Sequence, residues 1–338
     1  MDPVLLTHPS SLQHETGSHP EQPARIVAIE RELAACDWCG YERVPSPVAP
    51  VAALRAVHPG RYVDAIRELA EAGGGAIDAD TVVSAGSYEA ALHAAGGAME
   101  LVRRVMSGVN PTGFSVHRPP GHHAEPGRAM GFCLFNNVAV AARWALDELG
   151  LERVMIVDYD VHHGNGTNAV FHDDPRVLFV SVHQSPLYPG TGPLRDVGSG
   201  DGLGFSVNLP VAPGSGDIVF GGMIGRVAVP LVGAFEPQLV IVSAGFDAAA
   251  GDPLAECAVT PEGFAWMTSS LRAAAGTVGA PVCGVLEGGY SLSMLPLCVR
   301  AAMEALAGSE GPQPLGIVSD VVSEARAFLS EWWPVLAD

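Results

Sequence analysis

Lysine is absent from this chain of 338 residues, whose 18 basic side chains are all arginine. A chain without lysine cannot itself carry side-chain lysine acylation. Positive charge is also scarce, because 37 acidic residues against 18 basic ones give a formal charge of −19. That balance argues against sequence-independent binding to nucleic acid, since phosphate contacts need a basic face. It favours encounter with cationic substrates such as lysine-rich tails or polyamines. Cysteine, at six residues, is too sparse for a disulfide framework. Cys36 and Cys39 form a Cys-x-x-Cys pair, but no second pair or neighbouring histidine completes a four-ligand metal set, so they read as ordinary thiols near a helix end. No positively charged leader opens the sequence, and no apolar run approaches the roughly 18 residues that span a bilayer. Even the most apolar stretch, 227–246, is interrupted by Pro230, Glu236 and Pro237. The expectation is a soluble, cytoplasmic protein that binds neither membrane nor nucleic acid.

What the sequence does hold is apolar substance, with 48% hydrophobic against 16% charged residues, enough for a large core. A short strand is expected at 4–7, followed by the segment HPEQPAR (19–25) opening a helix through 35, with Pro23 in its first turn. Helices follow at 59–72 and 87–106, the second with Ser87 as its cap. From residue 113 strands and helices alternate. Strands are expected at 113–116, 154–158, 177–183, 205–209, 239–243 and 282–287. Helices are expected at 136–149, 217–235, 261–278, 294–307 and 320–336. This alternation predicts an α/β fold, a single domain over 1–338 with a mainly parallel sheet and helices on both faces. Ligands then bind outside the carboxyl ends of the strands.

The stretch RVMIVDYDVHHGNGT (153–167) is the centre of the chain. Its β-branched run predicts a strand buried on both faces, and Gly164, Asn165 and Gly166 read as loop. Asp158, Asp160 and His162 are spaced i, i+2, i+4, which points all three to one side of an extended chain. Two carboxylates and an imidazole crowded at a strand end would leave charge buried unless a cation sits among them. The spacing therefore predicts a metal site.

Three other strand ends complete it. His122 and His123 follow the strand at 113–116, Asp247 follows 239–243, and Tyr290 follows 282–287. Asp160, His162 and Asp247 would give zinc three protein ligands with a position left open, the mark of a catalytic site. One of the paired histidines would move the proton, and Tyr290 would donate to the developing oxyanion. The reaction class that follows is metal-assisted hydrolysis of an amide.

The motifs RPPGHHAEP, GFCLFNN, DYDVHHGNGT, SAGFDAAAGDP and LEGGY resemble those of the zinc-dependent histone deacetylase family, which has the arginase/deacetylase fold. The first motif is closest to the class II-type branch, which includes the bacterial histone deacetylase-like amidohydrolases. The resemblance implies one catalytic zinc on Asp160, His162 and Asp247, with His123 as general base and acid and Asn165 behind it. It implies that His122 pairs with Asp158 and assists electrostatically. Gly131 and Gly289 would shape a narrow tunnel walled by Phe132, and Arg25 would stand near an inner pocket. It also implies one or two structural potassium ions. The first would sit on Asp158, Ser181 and the backbones of Asp160 and His162, the second on carbonyls around Phe171, Asp174, Val177 and Phe205.

Two departures stand out. The wall facing Phe132, commonly Phe in the family, is Tyr188 here, and the acidic gatekeeper of the polyamine-preferring branch is replaced by Leu254. The resemblance thus implies removal of acetyl or another short acyl group from lysine in proteins or peptides. The alternative readings are an acetylpolyamine amidohydrolase, a binuclear manganese ureohydrolase and a non-catalytic binder of acyl-lysine. The region 78–87 is the expected source of the group that grips the substrate backbone. GSGDGLG (198–204) reads as plain loop and Cys133 as an inert buried thiol. Trp332 and Trp333 are expected to pack a last helix onto the body or to make a contact in a homo-oligomer.

Overall fold

The computed structural model describes residues 1–309, 311 and 319–337. Its strands are β1 (Val4–Thr7), β2 (Glu42–Pro45), β3 (Gly74–Ala76), β4 (Val82–Ser84), β5 (Gly113–Ser115), β6 (Val154–Asp158), β7 (Val177–Gln184), β8 (Ser206–Val211), β9 (Leu239–Ala244) and β10 (Val282–Leu286). Its α-helices are α1 (Ala24–Ala35), α2 (Val51–Arg55), α3 (Gly60–Glu71), α4 (Ser87–Met106), α5 (Asn137–Glu148), α6 (Asn165–Phe171), α7 (Asp217–Met223), α8 (Val229–Phe235), α9 (Pro261–Thr277), α10 (Leu295–Ala307) and α11 (Asp320–Leu329). Among the described residues, eight strands form one sheet in the order β2-β1-β5-β10-β9-β6-β7-β8, with every pairing parallel. The remaining two make a small antiparallel pair.

Alternation of side chains across the sheet divides the core in two. On β6, Met155 and Val157 join the cluster beneath α1, α9 and α10, while Val154 and Ile156 join the cluster beneath α4 and α5. β9 repeats this, with Val240 and Val242 on the first face and Leu239 and Ile241 on the second. Each such side chain is fully buried, and each contributes about 1.5–3 kcal/mol. The register aligns the strand ends: Asp158 lies opposite Ser181 on one side and Ser243 on the other. The loops leaving β5, β6, β9 and β10 therefore start from one edge.

Helix starts follow local chemistry. Asn136 caps α5 by accepting from the N–H of Ala139, and Thr260 caps α9 by accepting from Gly263, ahead of Pro261. Ser87 does not cap α4 as expected. It is the first helical residue, and its hydroxyl accepts instead from the backbone N–H of Ser84 at 2.7 Å. Asn165 and Gly166, read as loop, open α6. The edge strand β2 and the β3–β4 pair carry too little apolar periodicity to be read in advance.

The helical stretch Asp217–Phe235 is long and apolar enough, by length and composition, to cross a membrane, against the expectation from sequence. Its apolar residues Phe220, Met223, Ile224, Val227, Leu231 and Val232 lie fully buried in the core, which accounts for the composition. A π-helical turn at Ile224–Ala228 interrupts it just before Pro230, whose missing N–H and ring disturb regular helix geometry. The last helix ends at Leu329 rather than 336. Trp333 packs on Phe205 and Phe235 and donates to the carbonyl of Gly204, so it fastens the C-terminal segment to the body.

Candidate active site

Strand β6 ends at Asp158, so Asp160 and His162 lie in the loop beyond it and converge for a reason other than extended alternation. The Asp160 carboxylate accepts from the backbone N–H of His162 at 2.9 Å and curls the loop back. Nδ1 of His162 then lies 3.2 Å from Asp160 and 3.1 Å from Asp247. Ligand atoms of the three fall within 4.8 Å of one another, and all three residues are buried. Asp158 stays outside this trio.

The surroundings are built for the two carboxylates. Asp247 accepts from the N–H of Val161 at 2.8 Å, and Asp160 from the N–H of Gly288 at 2.8 Å. A Cβ at Gly288 would run into both carboxylates, and one at Gly245 into Asp160. Burial pushes the Asp247 carboxyl up to about 7, with Asp160 adding to the effect. Burial alone would lower His162, but Asp247 and Asp160 outweigh it and push the imidazole up to about 10. Two oxygen donors and one imidazole in a dry pocket are a donor set that zinc accepts, and a divalent cation would relieve this frustration.

The paired histidines are set apart by their partners. His122 Nδ1 lies 2.9 Å from Asp158, and although burial opposes its charge, Asp160 and Asp158 hold its pKa well above the ordinary value. His123 is held well below by burial and by the neighbouring His122 and His162. Its Nδ1 lies 2.8 Å from Oδ1 of Asn165, whose amide nitrogen donates to Glu125 at 2.9 Å. That second bond fixes the amide, so His123 carries its hydrogen on Nδ1 and keeps Nε2 free to accept. Gly131, at φ +55°, lies against the His123 ring where a Cβ would collide.

Tyr290 completes the constellation. Burial raises its pKa well above the ordinary value, which keeps the hydroxyl protonated as a donor. Arg25 stands over its ring at 5.0 Å. The Arg25 guanidinium is spent on the loop that carries Tyr290, donating to the carbonyls of Gly289 and Glu287 at 2.6 Å each and to Glu21 at 3.1 Å.

A cavity of about 280 Å³ reaches this centre. His123, Gly131, Phe132, His162, Tyr188, Leu254 and Tyr290 line it, as the sequence suggested, joined by His19, Pro20, Asp80 and Leu187, which it had not singled out. Gly289 is not among the lining residues. Its φ of +115° turns the chain and its carbonyl faces Arg25. Asp80 comes from the expected region 78–87 and is held at the mouth by Asp78, which accepts from its N–H, and by His19, 3.1 Å from its carbonyl. For the residues linked to potassium, Asp158 faces Ser181 across β6 and β7, and Phe171, Asp174 and Phe205 each offer a carbonyl that already accepts one N–H.

Three supporting residues lie within HPEQPAR, SAGFDAAAGDP and LEGGY, where spacing alone gives them no role. Glu287 is fully buried and accepts from the N–H groups of Gly121 and His122 and from the Ser243 hydroxyl, fixing the histidine loop. Asp252 accepts from the N–H groups of Tyr290, Ser291 and Leu254. Glu21 holds both Arg25 and Arg118 without exposure. Each makes at least one contact with a residue distant in the chain, Glu287 with Gly121, Asp252 with Tyr290 and Glu21 with Arg118, which no local spacing encodes.

Comparison with known proteins gives the family. Residues 19–306 match the histone deacetylase domain. The histone deacetylase-like amidohydrolase of Pseudomonas aeruginosa is 41% identical over 265 residues, covering 78% of this chain and 70% of its own. A probable deacetylase of Archaeoglobus fulgidus is 38% identical over 310 residues, covering 90% and 86%. The crystal structure of the HDA15 HD domain superposes with a TM-score of 0.91 at 36% identity, over 99% of this chain and 96% of that one. On its fold, its motifs and these relatives, the chain belongs to the histone deacetylase family and is a hydrolase of that family.

Proposed function

We propose that this protein removes acetyl or another short acyl group from the ε-amine of lysine in proteins or peptides. The observation that carries the reading is the meeting, in one buried-ended cavity, of the Asp160–His162–Asp247 trio, the fixed Nε2 acceptor of His123 and the hydroxyl of Tyr290. A narrow cavity of this kind suits an extended apolar arm ending in an amide. Leu254 at its wall and the absence of a carboxylate from that position favour the lysine arm over a free polyamine.

Asp160, His162 and Asp247 would hold one zinc ion, which supplies Lewis acidity and a more acidic water. His123 Nε2 takes a proton from the attacking water and returns it to the leaving nitrogen, while Asn165 holds Nδ1–H in place. Tyr290 donates to the oxyanion that develops on the acyl carbonyl. His122, held positive between Asp158 and Asp160, keeps His123 neutral and so ready to accept. Asp80 at the mouth is positioned to accept from a substrate backbone N–H. We further propose one potassium ion on Asp158, Ser181 and the backbones of Asp160 and His162, supported by the pairing of Asp158 with Ser181 at the ends of β6 and β7, and a second on the carbonyls of Phe171, Asp174, Val177 and Phe205.

The test compares acetyl-lysine peptide with acetylspermidine on zinc-loaded protein, with Tyr290→Phe and His123→Ala beside the wild type. Peptide turnover that collapses in both variants supports the proposal. Faster turnover of acetylspermidine would make the chain an acetylpolyamine amidohydrolase, and no turnover of either at one zinc per chain would point to a binding role.

A further inference from the structure

Away from the tunnel, the Cys-x-x-Cys pair closes α1 in an unusual way. Asp37, Trp38 and Cys39 take left-handed φ values of 50°, 55° and 52°, and Gly40 follows at 76°. A non-glycine residue in this region costs about 1 kcal/mol or more, so three in a row must be held by their surroundings. Here Arg43 stacks on the Trp38 ring at 3.8 Å, and the Tyr41 hydroxyl donates to the carbonyl of Met303 at 2.8 Å. The turn folds Cys39 back over Cys36 and brings their Sγ atoms to 2.6 Å. A disulfide needs only a small further approach, to about 2.0 Å.

Glu304 of α10 is the third group at this point, and the Cys39 thiol donates to it at 3.8 Å. The ligand atoms of Cys36, Cys39 and Glu304 lie close enough to touch one cation. Two observations favour the dithiol over a metal site. The same Glu304 oxygen already accepts from Arg300 at 2.9 Å, and the two sulfurs stand too close for thiolates sharing an ion. The other four cysteines, Cys133, Cys257, Cys283 and Cys298, are buried, whereas this pair is half-buried and reachable.

We propose that Cys36 and Cys39 are a thiol–disulfide exchange site that takes a low-molecular-weight disulfide as oxidant. The Cys36 sulfur, which lacks the carboxylate neighbour that Cys39 has in Glu304, loses its proton to solvent and attacks one sulfur of that disulfide. A mixed disulfide forms, the oxidant's S–S bond breaks, and the departing thiolate takes up the proton. Cys39 then attacks the Cys36 sulfur, which forms the Cys36–Cys39 bond and releases the second thiol with the proton that Cys39 gives up. The two cysteines lose two electrons and one disulfide becomes two thiols. Arg25 lies eleven residues back along α1, about 16 Å away, so the exchange is separate from the hydrolytic centre.

The intact protein is equilibrated in glutathione buffers of graded reduced-to-oxidised ratio, alkylated after denaturation, and cleaved after arginine. Cleavage at Arg31 and Arg43 leaves both cysteines in the single peptide 32–43. That peptide is expected to lose two alkyl groups together as the buffer becomes oxidising and to regain them on reversal, while the four buried cysteines stay alkylatable. Cys39→Ser is expected to trap a glutathione adduct on Cys36, and Cys36→Ser/Cys39→Ser to hydrolyse substrate within twofold of wild type. Full alkylation of the pair at every ratio would overturn the proposal. So would oxidation spread equally over all six cysteines, or metal analysis of the native protein that finds zinc lost on Cys36→Ser/Cys39→Ser.

Discussion

The carboxylate of Asp252 accepts from the backbone N–H of Tyr290 at 2.7 Å with one oxygen and from that of Leu254 at 3.0 Å with the other. One side chain thus ties Tyr290 to Leu254, two residues that line the same cavity. The N–H of Tyr290 has no solvent as a substitute, since Asp252 and Tyr290 are both buried.

Asp252→Asn should lower kcat/KM about 10- to 100-fold, the range seen when a group that orients a reacting side chain is lost. The amide can accept at one of the two oxygens' places but presents hydrogens at the other. Stability should fall by about 1–3 kcal/mol for the N–H left unpaired. Steady-state kinetics with denaturant unfolding check both, and a variant with wild-type kcat/KM would remove Asp252 from the positioning of Tyr290.

Asn165→Leu removes the acceptor on His123 Nδ1 while keeping the bulk of the side chain. With the tautomer free to invert, kcat should drop about 100-fold while KM changes little. Unchanged kcat would mean that His123 does not depend on Asn165 for its protonation state.

Gly288→Ala places a methyl against both Asp160 and Asp247. The variant should fold yet bind less than one zinc per chain, whereas wild type should bind one. In wild type, removal of the metal by a chelator should abolish hydrolysis and lower Tm, and added zinc should restore both, because an ion bound only by the native state stabilises it. Metal analysis beside thermal melts reads the result, and full zinc binding by Gly288→Ala would count against the trio as the ligand set.

Acid should destabilise the fold through buried neutral histidines. Burial pushes His58 down to about 4, and its Nε2 accepts from the N–H of Asn136 at 3.0 Å. Its folded pKa lies below the unfolded value of about 6.5, so the unfolded chain binds more protons between those values. The stabilisation is complete above pH ~6.5 and is lost as pH falls toward ~4, about 3 kcal/mol for this group alone. His58→Gln should flatten that part of the stability profile, measured by urea unfolding from pH 4.5 to 7.5. An unchanged slope would show that His58 does not contribute it.

Much of the fold was legible because burial on both faces leaves an unmistakable mark, as in Val154–Asp158 and Leu239–Ala244. The exposed edge strand Glu42–Pro45 left no such mark and was missed. Strand ends in a parallel sheet share one edge, so the residues after β5, β6, β9 and β10 could be gathered from sequence alone. Their types predicted the hydrolytic chemistry before any distance was known.

What the sequence by itself determined was which side chains reach that edge, since chain order and side-chain alternation are local properties. Only the tertiary structure decided how they are held. Asp158 turned to His122, the pairing that the family resemblance implied, instead of joining the trio; Asn165 opened a helix while still reaching His123, and Glu21, Asp252 and Glu287 took supporting posts. Each of these depends on a buried polar group finding a partner far along the chain. That requirement is imposed by desolvation in the folded core and is invisible to spacing.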